Sequence, residues 1–338
     1  MRVFHKYHDV PISSKGGVIA IGNFDGVHKG HQAILKAAKQ IAKADKIPFN
    51  VLTFEPHPSQ AFDREREPFR LTPVRSKVRV LSKLGIDNLI IMHFVADFYN
   101  MSAEDFIEKV IVGGLGAAHL VVGEGYHFGK DCLGDTSLLQ ELGKKYGFKV
   151  TVVPNLLNKD KERISSSAAR FFLKRGDVAK VKEILGRYWE IEARVIKGNQ
   201  IGRTLGFPTA NLDTLDYATP RTGVYAAHIG IPDKKGKVTW FDGVMNYGSR
   251  PTVDGKNTFL EAHIFDFDGD IYGKRIIVRP IKFLRPEMKM NGLEDLKKHI
   301  KEDIVWAKIV LSDTVAGNAP FMIFGFDGAA DKERDNKG

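Results

Sequence analysis

The stretch Ile19–Leu35, IAIGNFDGVHKGHQAIL, places three patterns one after another. An apolar run leads into a loop punctuated by glycines, and the loop leads into apolar residues at helical spacing. A strand that passes through such a loop directly into a helix is typical of the first unit of a parallel α/β sheet. The carboxyl end of a strand in an open α/β sheet is also where ligands bind. This stretch therefore predicts both the fold of the first half and the position of its site.

The rest of the first half repeats this alternation of short β-branched runs and helical segments. The runs predicted as strands are Val18–Ile21, Asn50–Phe54, Asn88–Phe94, His119–Gly123 and Lys149–Val153. The segments predicted as helices are Gly30–Ala44, Ser76–Leu84, one that begins at a capping Ser102, Ser165–Lys174 and Asp177–Leu185. Residues 1–186 are therefore predicted to form a doubly wound, Rossmann-like α/β domain.

From Tyr188 the pattern changes to strand-like runs such as TGVYAAHIG and TFLEAHIFDF, separated by Gly, Asn, Asp and Pro. Helical spacing returns only at Leu293–Leu311. We expect an antiparallel barrel or sandwich closed by a C-terminal helix over residues 187–328, followed by a frayed tail at 329–338. A chain of 338 residues is long enough for two such domains.

The positive net charge indicates an anionic partner. The formal net charge is +10, and residues 1–185 hold most of the excess, with 28 Lys and Arg against 20 Asp and Glu. Nucleic acid, a membrane surface and a phosphorylated small molecule are the ordinary candidates. No block of like charge and no basic motif interleaved with aromatic residues is present, so nucleic acid is the less favoured of these.

The single cysteine, Cys132, excludes a disulfide scaffold and a cysteine-rich metal site. The first residues lack a signal-peptide core, and no apolar run is long enough to cross a bilayer. The sequence therefore predicts a cytoplasmic protein.

Two histidines, His28 and His31, bracket the predicted start of the first helix. The free N–H groups and dipole at a helix N-terminus favour phosphate. Imidazoles beside them can stabilise charge that develops on a reacting phosphorus. Capping of the helix is the simpler alternative, but the strand, loop and helix context favours a phosphate site.

The segment GNFDGVHKGH resembles the HxGH signature of nucleotidylyltransferases, in the form found in bacterial riboflavin kinase/FAD synthetases. FEPHP at Phe54–Pro58 and ISSSAAR at Ile164–Arg170 resemble two further segments of that family. The resemblance implies that four residues stabilise phosphates during adenylyl transfer: His28, His31, Ser166 and Arg170. It implies ATP or phosphate contacts from Gly22, Asn23, Phe24, Asp25, Gly26, Gly30, His57, Ser165 and Ser167, and flavin contacts from Gly125, Tyr126 and Phe128. The family usually has Asn or Asp at the position of Gly125.

In the second half, GNQIGRTLGFPTANL at Gly198–Leu212 lacks the GK[ST] ending of a P-loop. It resembles the glycine-rich PTAN motif of riboflavin kinases, and GVYA and NYGSRPT follow in the family order. The resemblance implies that Thr209 and Asn211 bind Mg²⁺ and that Glu261 is the general base. It further implies nucleotide contacts from Gly202, Arg203, Gly206 and Pro208, and flavin contacts from Gly223, Val224, Tyr225 and Asn246. Arg250, Arg275 and Arg285 are interpreted as solubilising surface residues.

Together the motifs imply a bifunctional enzyme that phosphorylates riboflavin to FMN with ATP and then joins FMN to AMP from a second ATP, releasing pyrophosphate. Its cofactor would be Mg²⁺, and its partners riboflavin, FMN, FAD and ATP, with neither nucleic acid nor membrane. The departure at Gly125 keeps open a riboflavin kinase that has lost adenylylation. The basic charge keeps open a nucleic-acid-binding or regulatory protein on the same fold.

Overall fold

The computed structural model describes residues 1–62, 68–198, 201–214, 216–252 and 255–314. The strands of the first half are β1 Arg2–Phe4, β2 Val18–Ile21, β3 Phe49–Glu55, β4 Asn88–His93, β5 His119–Gly123 and β6 Lys149–Val153. Its helices are α1 Lys29–Asp45, α2 Pro58–Phe62, α3 Val74–Leu81, α4 Ala96–Tyr99, α5 Ala103–Asp105, α6 Thr136–Tyr146, α7 Ser166–Lys174 and α8 Val178–Leu185. A π-helix, Phe106–Gly114, continues α5. Short 3₁₀ turns lie at Tyr7–Asp9, Ile12–Ser14, Asp25–Val27, Ser82–Leu84 and Lys130–Cys132.

The six strands form one parallel sheet in the order β1-β4-β3-β2-β5-β6. The strand order reverses at β2, which pairs with β3 on one side and β5 on the other. The prediction of a doubly wound, Rossmann-like sheet is confirmed. The edge strand β1 was not predicted because its three residues are too few to show a period.

Several helices of this domain begin at side-chain caps that the sequence signals. Ser102, predicted as a cap, accepts the backbone N–H of Asp105 at 3.0 Å. Ser165 and Asp177 likewise accept backbone N–H groups at the starts of α7 and α8. Each cap satisfies a donor that the first helical turn leaves unpaired.

The second half contains β7 Ile191–Ile196, β8 Thr209–Leu212, β9 Gly223–Pro232, β10 Val238–Thr252, β11 Gly255–Ile264 and β12 Arg275–Arg285, with α9 Ile201–Thr204 and α10 Leu293–Ser312. The strands close a barrel in the order β10-β11-β8-β7-β12-β9 with antiparallel pairing throughout. The fold is therefore a barrel rather than a sandwich. Since α10 packs on β9, β10 and β12, the closing helix is also confirmed.

The predicted boundary at Gly186–Arg187 falls between α8 and β7. One hydrophobic cluster nevertheless joins α7 and α8 to the inside of the barrel. A buried ion network lies at the same junction, where the Glu190 carboxylate accepts from Arg79 of α3 at 2.8 Å and from Arg279 of β12 at 2.7 Å. The two cations hold the pKa of Glu190 below its usual range despite its burial. The two halves of the chain are thus packed together along this junction.

No helix in the described ranges has the length and apolar content needed to cross a membrane.

Candidate active sites

The first site is built at the carboxyl end of β2, where the strand order of the sheet reverses. The chain leaves the sheet at Gly22 and enters α1 at Lys29, with His28 as the N-cap. Phe24 and Val27 have φ values of 48° and 42°, so the loop is wound tightly. A topological switch point next to a helix N-terminus is the standard place for a nucleotide phosphate in such a sheet.

The two histidines of the HxGH motif lie against each other. Their rings stack with centroids 3.6 Å apart, and His28 Nδ1 accepts the backbone N–H of His31 at 3.3 Å. A Cβ at Gly30 would lie 3.1 Å from the His28 ring, so a side chain there would press on this ring. His31 Nδ1 is buried without a hydrogen-bond partner, which leaves a polar atom for a ligand to satisfy.

Burial keeps both rings neutral near pH 7. It lowers the pKa of His28 to about 4, against an opposing contribution from Asp25, and it lowers that of His31 well below the usual value. Neighbouring cations, Arg163 and Arg170 among them, act in the same direction. A bound phosphate would oppose these effects, since a nearby anion favours the charged imidazole.

These pKa shifts predict an acid-sensitive fold. In the unfolded chain a histidine gains its proton near pH 6.5, whereas folded His28 gains it only near pH 4. The unfolded state therefore binds more protons in this window, and stability falls as the pH drops from 6.5 towards 4. Melting temperatures at pH 7 and pH 5 should differ less in His28→Gln than in the wild type. The exposed His5→Gln is the control, and an equal difference in all three proteins would contradict the prediction.

The Asp25 carboxylate anchors the loop to its neighbours. The backbone N–H groups of Leu71 and Thr72 donate to it at 3.1 and 2.9 Å, and the Arg170 guanidinium donates to it at 2.5 Å. Ser166 Oγ donates to the backbone carbonyl of Asp25 at 2.8 Å. The structure therefore brings Asp25, Ser166 and Arg170 together, as predicted. Most of the hydrogen bonds that they form here hold the loop in place.

The other residues predicted for this site differ in placement. Ser165, which caps α7, lines a small cavity of about 160 Å³ together with Gly22 and both motif histidines. Phe24 also borders it but is fully buried and contacts the His31 ring edge-on at 5.3 Å. Ser167 is exposed and does not line the cavity.

His57 stands apart from the motif histidines. Its Nδ1 accepts the backbone N–H of Ser59 at 3.2 Å, and its ring lies edge-on to Phe69 at 4.9 Å. Burial lowers its pKa to about 4. The ring is therefore neutral near pH 7.

No motif in the sequence points to Lys77, which lies beneath the same loop. Its ammonium group, buried under the loop, donates to the Asn23 carbonyl at 2.8 Å and to Thr53 Oγ1 at 3.4 Å. Burial lowers its pKa. The signal was available, because Lys77 precedes the buried Val80 and Leu81 at helical spacing and so lies on the buried face of α3.

A second, larger cavity of about 710 Å³ adjoins the loop, and seven aromatic rings stand in its wall. The rings are those of Phe54, Phe94, Phe98, Tyr99, Phe106, Tyr126 and Phe128. Tyr126 and Phe128 stack with centroids 5.6 Å apart and planes only 11° apart. Gly125 lines both this cavity and the smaller one. The three residues predicted for flavin contact in this domain therefore lie together, in a space suited to a flat aromatic ligand.

The second site lies on the outside of the barrel. Asn211, Glu261 and Asn246 are direct partners across β8, β11 and β10. The next row across the same strands, Leu212, Leu260 and Tyr247, is buried in the barrel core. Because side chains alternate along a strand, the polar row faces out of the barrel.

This polar row lines a cavity of about 320 Å³. The cavity lies between the barrel and α10, which contributes Leu296, Ile300 and Asp303. Asn246 Oδ1 is buried there without a hydrogen-bond partner. As in the first site, an unsatisfied polar atom faces a space large enough for a ligand.

The glycine-rich loop closes over Thr209. A Cβ at Gly202 would lie 3.3 Å from the Thr209 side chain and 2.5 Å from the Phe207 carbonyl, so only glycine permits this approach. Thr209 lines both the first barrel cavity and a second one of about 480 Å³, whose wall includes Arg203 and Pro208. Thr209 therefore stands at the point where the two cavities meet.

Of the remaining residues predicted for the barrel site, some line a cavity and others do not. Val224 lines the first cavity, whereas the Tyr225 side chain lies in the barrel core and donates to the Arg221 carbonyl at 2.6 Å. Neither Gly206, with φ of 87°, nor Gly223, with φ of 141°, lines these two cavities. The residues next to them in the chain do.

The interpretation of Arg285 as a solubilising residue is wrong. Its guanidinium forms two hydrogen bonds of 2.7 Å with the Asp303 carboxylate and fastens α10 over the first cavity. Arg275 is exposed as expected, and the Arg250 side chain lies outside the described residues. In the ranges that the structure describes, no group of three or more His, Cys, Asp or Glu side chains is placed to hold a metal ion.

Comparison with known proteins assigns a family to each half. The FAD synthetase family model matches residues 11–168, and the riboflavin kinase family model matches residues 185–311. The bifunctional riboflavin kinase/FMN adenylyltransferase of Haemophilus influenzae is 37% identical over 91% of this chain and 98% of its own. That of Bacillus subtilis is 37% identical over 90% of this chain and 95% of its own. A crystal structure described as a macrolide-efflux protein from Streptococcus pneumoniae superposes with a TM-score of 0.78 at 28% identity, covering 90% of this chain and 98% of that one.

Proposed function

Because the chain belongs to the family of bifunctional riboflavin kinase/FMN adenylyltransferases, we propose that its two sites carry out the two reactions separately. The protein is an enzyme of flavin cofactor synthesis. Riboflavin phosphorylation is assigned to the barrel and FMN adenylylation to the α/β domain. The observation that carries this division is that the cavities of the two domains have no lining residue in common.

In the adenylylation step, the phosphate of FMN attacks the α-phosphorus of ATP, the bond to the β-phosphate oxygen breaks, and pyrophosphate leaves. The attacking oxygen is already anionic, so no side-chain nucleophile is needed. The protein's task is to bring two anions together and to stabilise the charge that develops on the phosphoryl oxygens. His28 and His31, as neutral imidazoles at a helix N-terminus, can donate hydrogen bonds to those oxygens.

The surrounding residues hold that arrangement. The Asp25–Arg170 pair and Ser166 fix the loop, and Lys77 supplies positive charge beneath it. The aromatic cavity is proposed to hold the isoalloxazine ring of FMN. Gly22 and Asn23 line that cavity, so the flavin would lie against the same loop that handles the phosphates.

In the kinase step, Glu261 is proposed to accept the proton of the ribityl 5′-hydroxyl while that oxygen attacks the γ-phosphorus of ATP and ADP leaves. Thr209 and Asn211 would hold Mg²⁺, since their hard oxygens suit this ion and both residues line the same cavity as Glu261. Bound Mg²⁺ would neutralise charge on the transferring phosphates. The cavity under α10, with its apolar methionine and leucine side chains, suits the flavin. The cavity on the other side of Thr209, beneath the loop of Arg203, suits the nucleotide.

The proposal is tested by incubating the protein with riboflavin, ATP and Mg²⁺ and separating the flavins by chromatography. We expect FMN to form first and FAD to follow, and supplied FMN to be converted without riboflavin. Accumulation of FMN with no conversion of supplied FMN would instead support a kinase that has lost adenylylation.

Gly125 can be tested directly, because the backbone accepts a side chain there. It has no positive φ, and an added Cβ would make an ordinary contact of 3.4 Å with the Arg163 guanidinium. An asparagine adds one hydrogen-bonding group beside the flavin cavity, a change of about 1 kcal/mol. We expect Gly125→Asn to lower the KM for FMN severalfold and Gly125→Ala to leave it unchanged. Steady-state adenylylation measures both, and a raised KM in the asparagine variant alone would contradict the expectation.

A further inference from the structure

The segment Phe69–Thr72, which we call the strap, lies between the loop that carries the HxGH motif and the barrel domain. It lies outside the helices and strands, yet all four of its residues are buried. A buried stretch without regular secondary structure must find partners for its backbone N–H and C=O groups in other parts of the chain. The partners of the strap come from both domains.

One side of the strap holds the loop of the adenylylation site. The last two backbone N–H groups of the strap donate to the Asp25 carboxylate at 3.1 and 2.9 Å. Thr72 Oγ1 accepts the backbone N–H of Gly26 at 2.7 Å. Because Gly26 lies only two residues before His28, a shift of the strap would displace this histidine.

The other side of the strap is held by the barrel domain. The Leu71 carbonyl accepts the indole N–H of Trp189 at 2.9 Å, and the Arg70 carbonyl accepts the backbone N–H of Ala218 at 2.7 Å. Leu71 and Trp189 also pack in the hydrophobic cluster that joins α7 and α8 to the barrel. Loss of the indole N–H would leave the Leu71 carbonyl buried without this partner, which favours a shift of the strap.

We propose that Trp189 is a positioning residue for FMN adenylylation: its indole N–H holds the strap, and the strap holds the loop of the HxGH motif in the reactive geometry. This role rests on the proposed assignment of adenylylation to the α/β domain. Trp189 belongs to the barrel domain, which therefore supplies part of the framework of the adenylylation site. Among the described residues, those that line the two barrel cavities do not include Trp189, so the kinase site should not depend on its N–H.

The loop depends on such outside support. Phe24 and Val27 have positive φ values, and backbone conformations of this kind persist where the surrounding contacts enforce them. The imidazoles of the motif can stabilise developing charge only at hydrogen-bond distance. A misplacement of about 1 Å costs roughly 10²-fold in rate, so a smaller shift of the loop is expected to cost about tenfold.

Steady-state kinetics of the full chain test this role. Trp189→Phe keeps an aromatic ring in the core and removes the N–H donor. Replacement of Trp189 by benzothienylalanine also keeps the fused-ring shape, so this second variant removes the donor with little change in packing. In both proteins we expect kcat for the adenylylation of supplied FMN to fall about tenfold. The KM for FMN and the rate of riboflavin phosphorylation should stay close to the wild-type values.

Tyr217→Phe is the matched control. The Tyr217 hydroxyl bonds to Ser76 of α3 and to the backbone N–H of Glu192 in β7, so its loss removes hydrogen bonds at the same junction while the bonds of the strap remain. This variant should retain wild-type adenylylation.

The outcomes separate this role from the proposed function. A wild type that does not convert supplied FMN would contradict the proposed function, and this role with it. With an active wild type, unchanged adenylylation in the benzothienylalanine variant would overturn the role of Trp189 alone. An equal loss of both activities in that variant, or an equal loss of adenylylation in Tyr217→Phe, would overturn it as well.

Discussion

Replacing Glu261 with glutamine is expected to slow riboflavin phosphorylation by roughly 10²–10⁴-fold, the usual contribution of a positioned general base. The substitution keeps the shape of the side chain and removes its ability to accept a proton. Glu261 lies between Asn211 and Asn246 in the outward-facing row of the barrel, so the change leaves the barrel core untouched. Adenylylation of supplied FMN should be unchanged.

Glu287 offers a matched control, because its carboxylate lines the same cavity from the segment before α10. Glu287→Gln should retain most of the kinase activity. Initial rates of FMN formation from riboflavin and of FAD formation from FMN measure the two activities separately. Equal losses in both glutamine variants, or a loss of adenylylation in Glu261→Gln, would show that Glu261 is not the base of a separate kinase site.

Replacing His28 or His31 with alanine is expected to slow FMN adenylylation by about 10²–10³-fold for each lost donor. The two rings stack at the N-terminus of α1, and their neutral state at pH 7 lets each donate one hydrogen bond. Since His28 also caps α1, its loss should additionally lower stability by about 1 kcal/mol. Riboflavin phosphorylation should persist in both variants.

The His31 variant distinguishes a loss of catalysis from a loss of helix capping. Its side chain does not cap the helix, and its Nδ1 has no hydrogen-bond partner. An exposed histidine of the same domain, His93 at the end of β4, serves as the control. If FAD formation survived in both His28→Ala and His31→Ala, the proposed phosphate role of the HxGH motif would be wrong.

The parts of the fold that follow from local patterns were predictable from the sequence. The predicted bounds of β2, β5 and β6 agree with the structure to the residue, since each is a short apolar run between turn signals. The caps Ser102, Ser165 and Asp177 were likewise readable.

What the sequence did not reveal depends on contacts between distant residues. The pairing of Arg79 with Glu190 joins positions 111 residues apart, and no local pattern signals it. The same holds for Arg285 and Asp303, whose pairing fastens α10 over the barrel cavity that Glu261 lines. The motifs identified residues that line the cavities, whereas the residues that support them, such as Lys77 beneath the loop, are fixed only by packing.

The most direct test of two independent sites is complementation between two impaired variants. Glu261→Gln alone should form FMN from riboflavin roughly 10²–10⁴-fold more slowly than the wild type. His28→Ala alone should form FMN at the wild-type rate but convert it to FAD about 10²–10³-fold more slowly. Mixed in one solution with riboflavin, ATP and Mg²⁺, the two proteins should together form FAD, because FMN released by one is the substrate of the other. Formation of FAD by the mixture is the predicted result. A mixture that forms FAD from riboflavin no faster than either variant alone would contradict the assignment of the two reactions to separate sites.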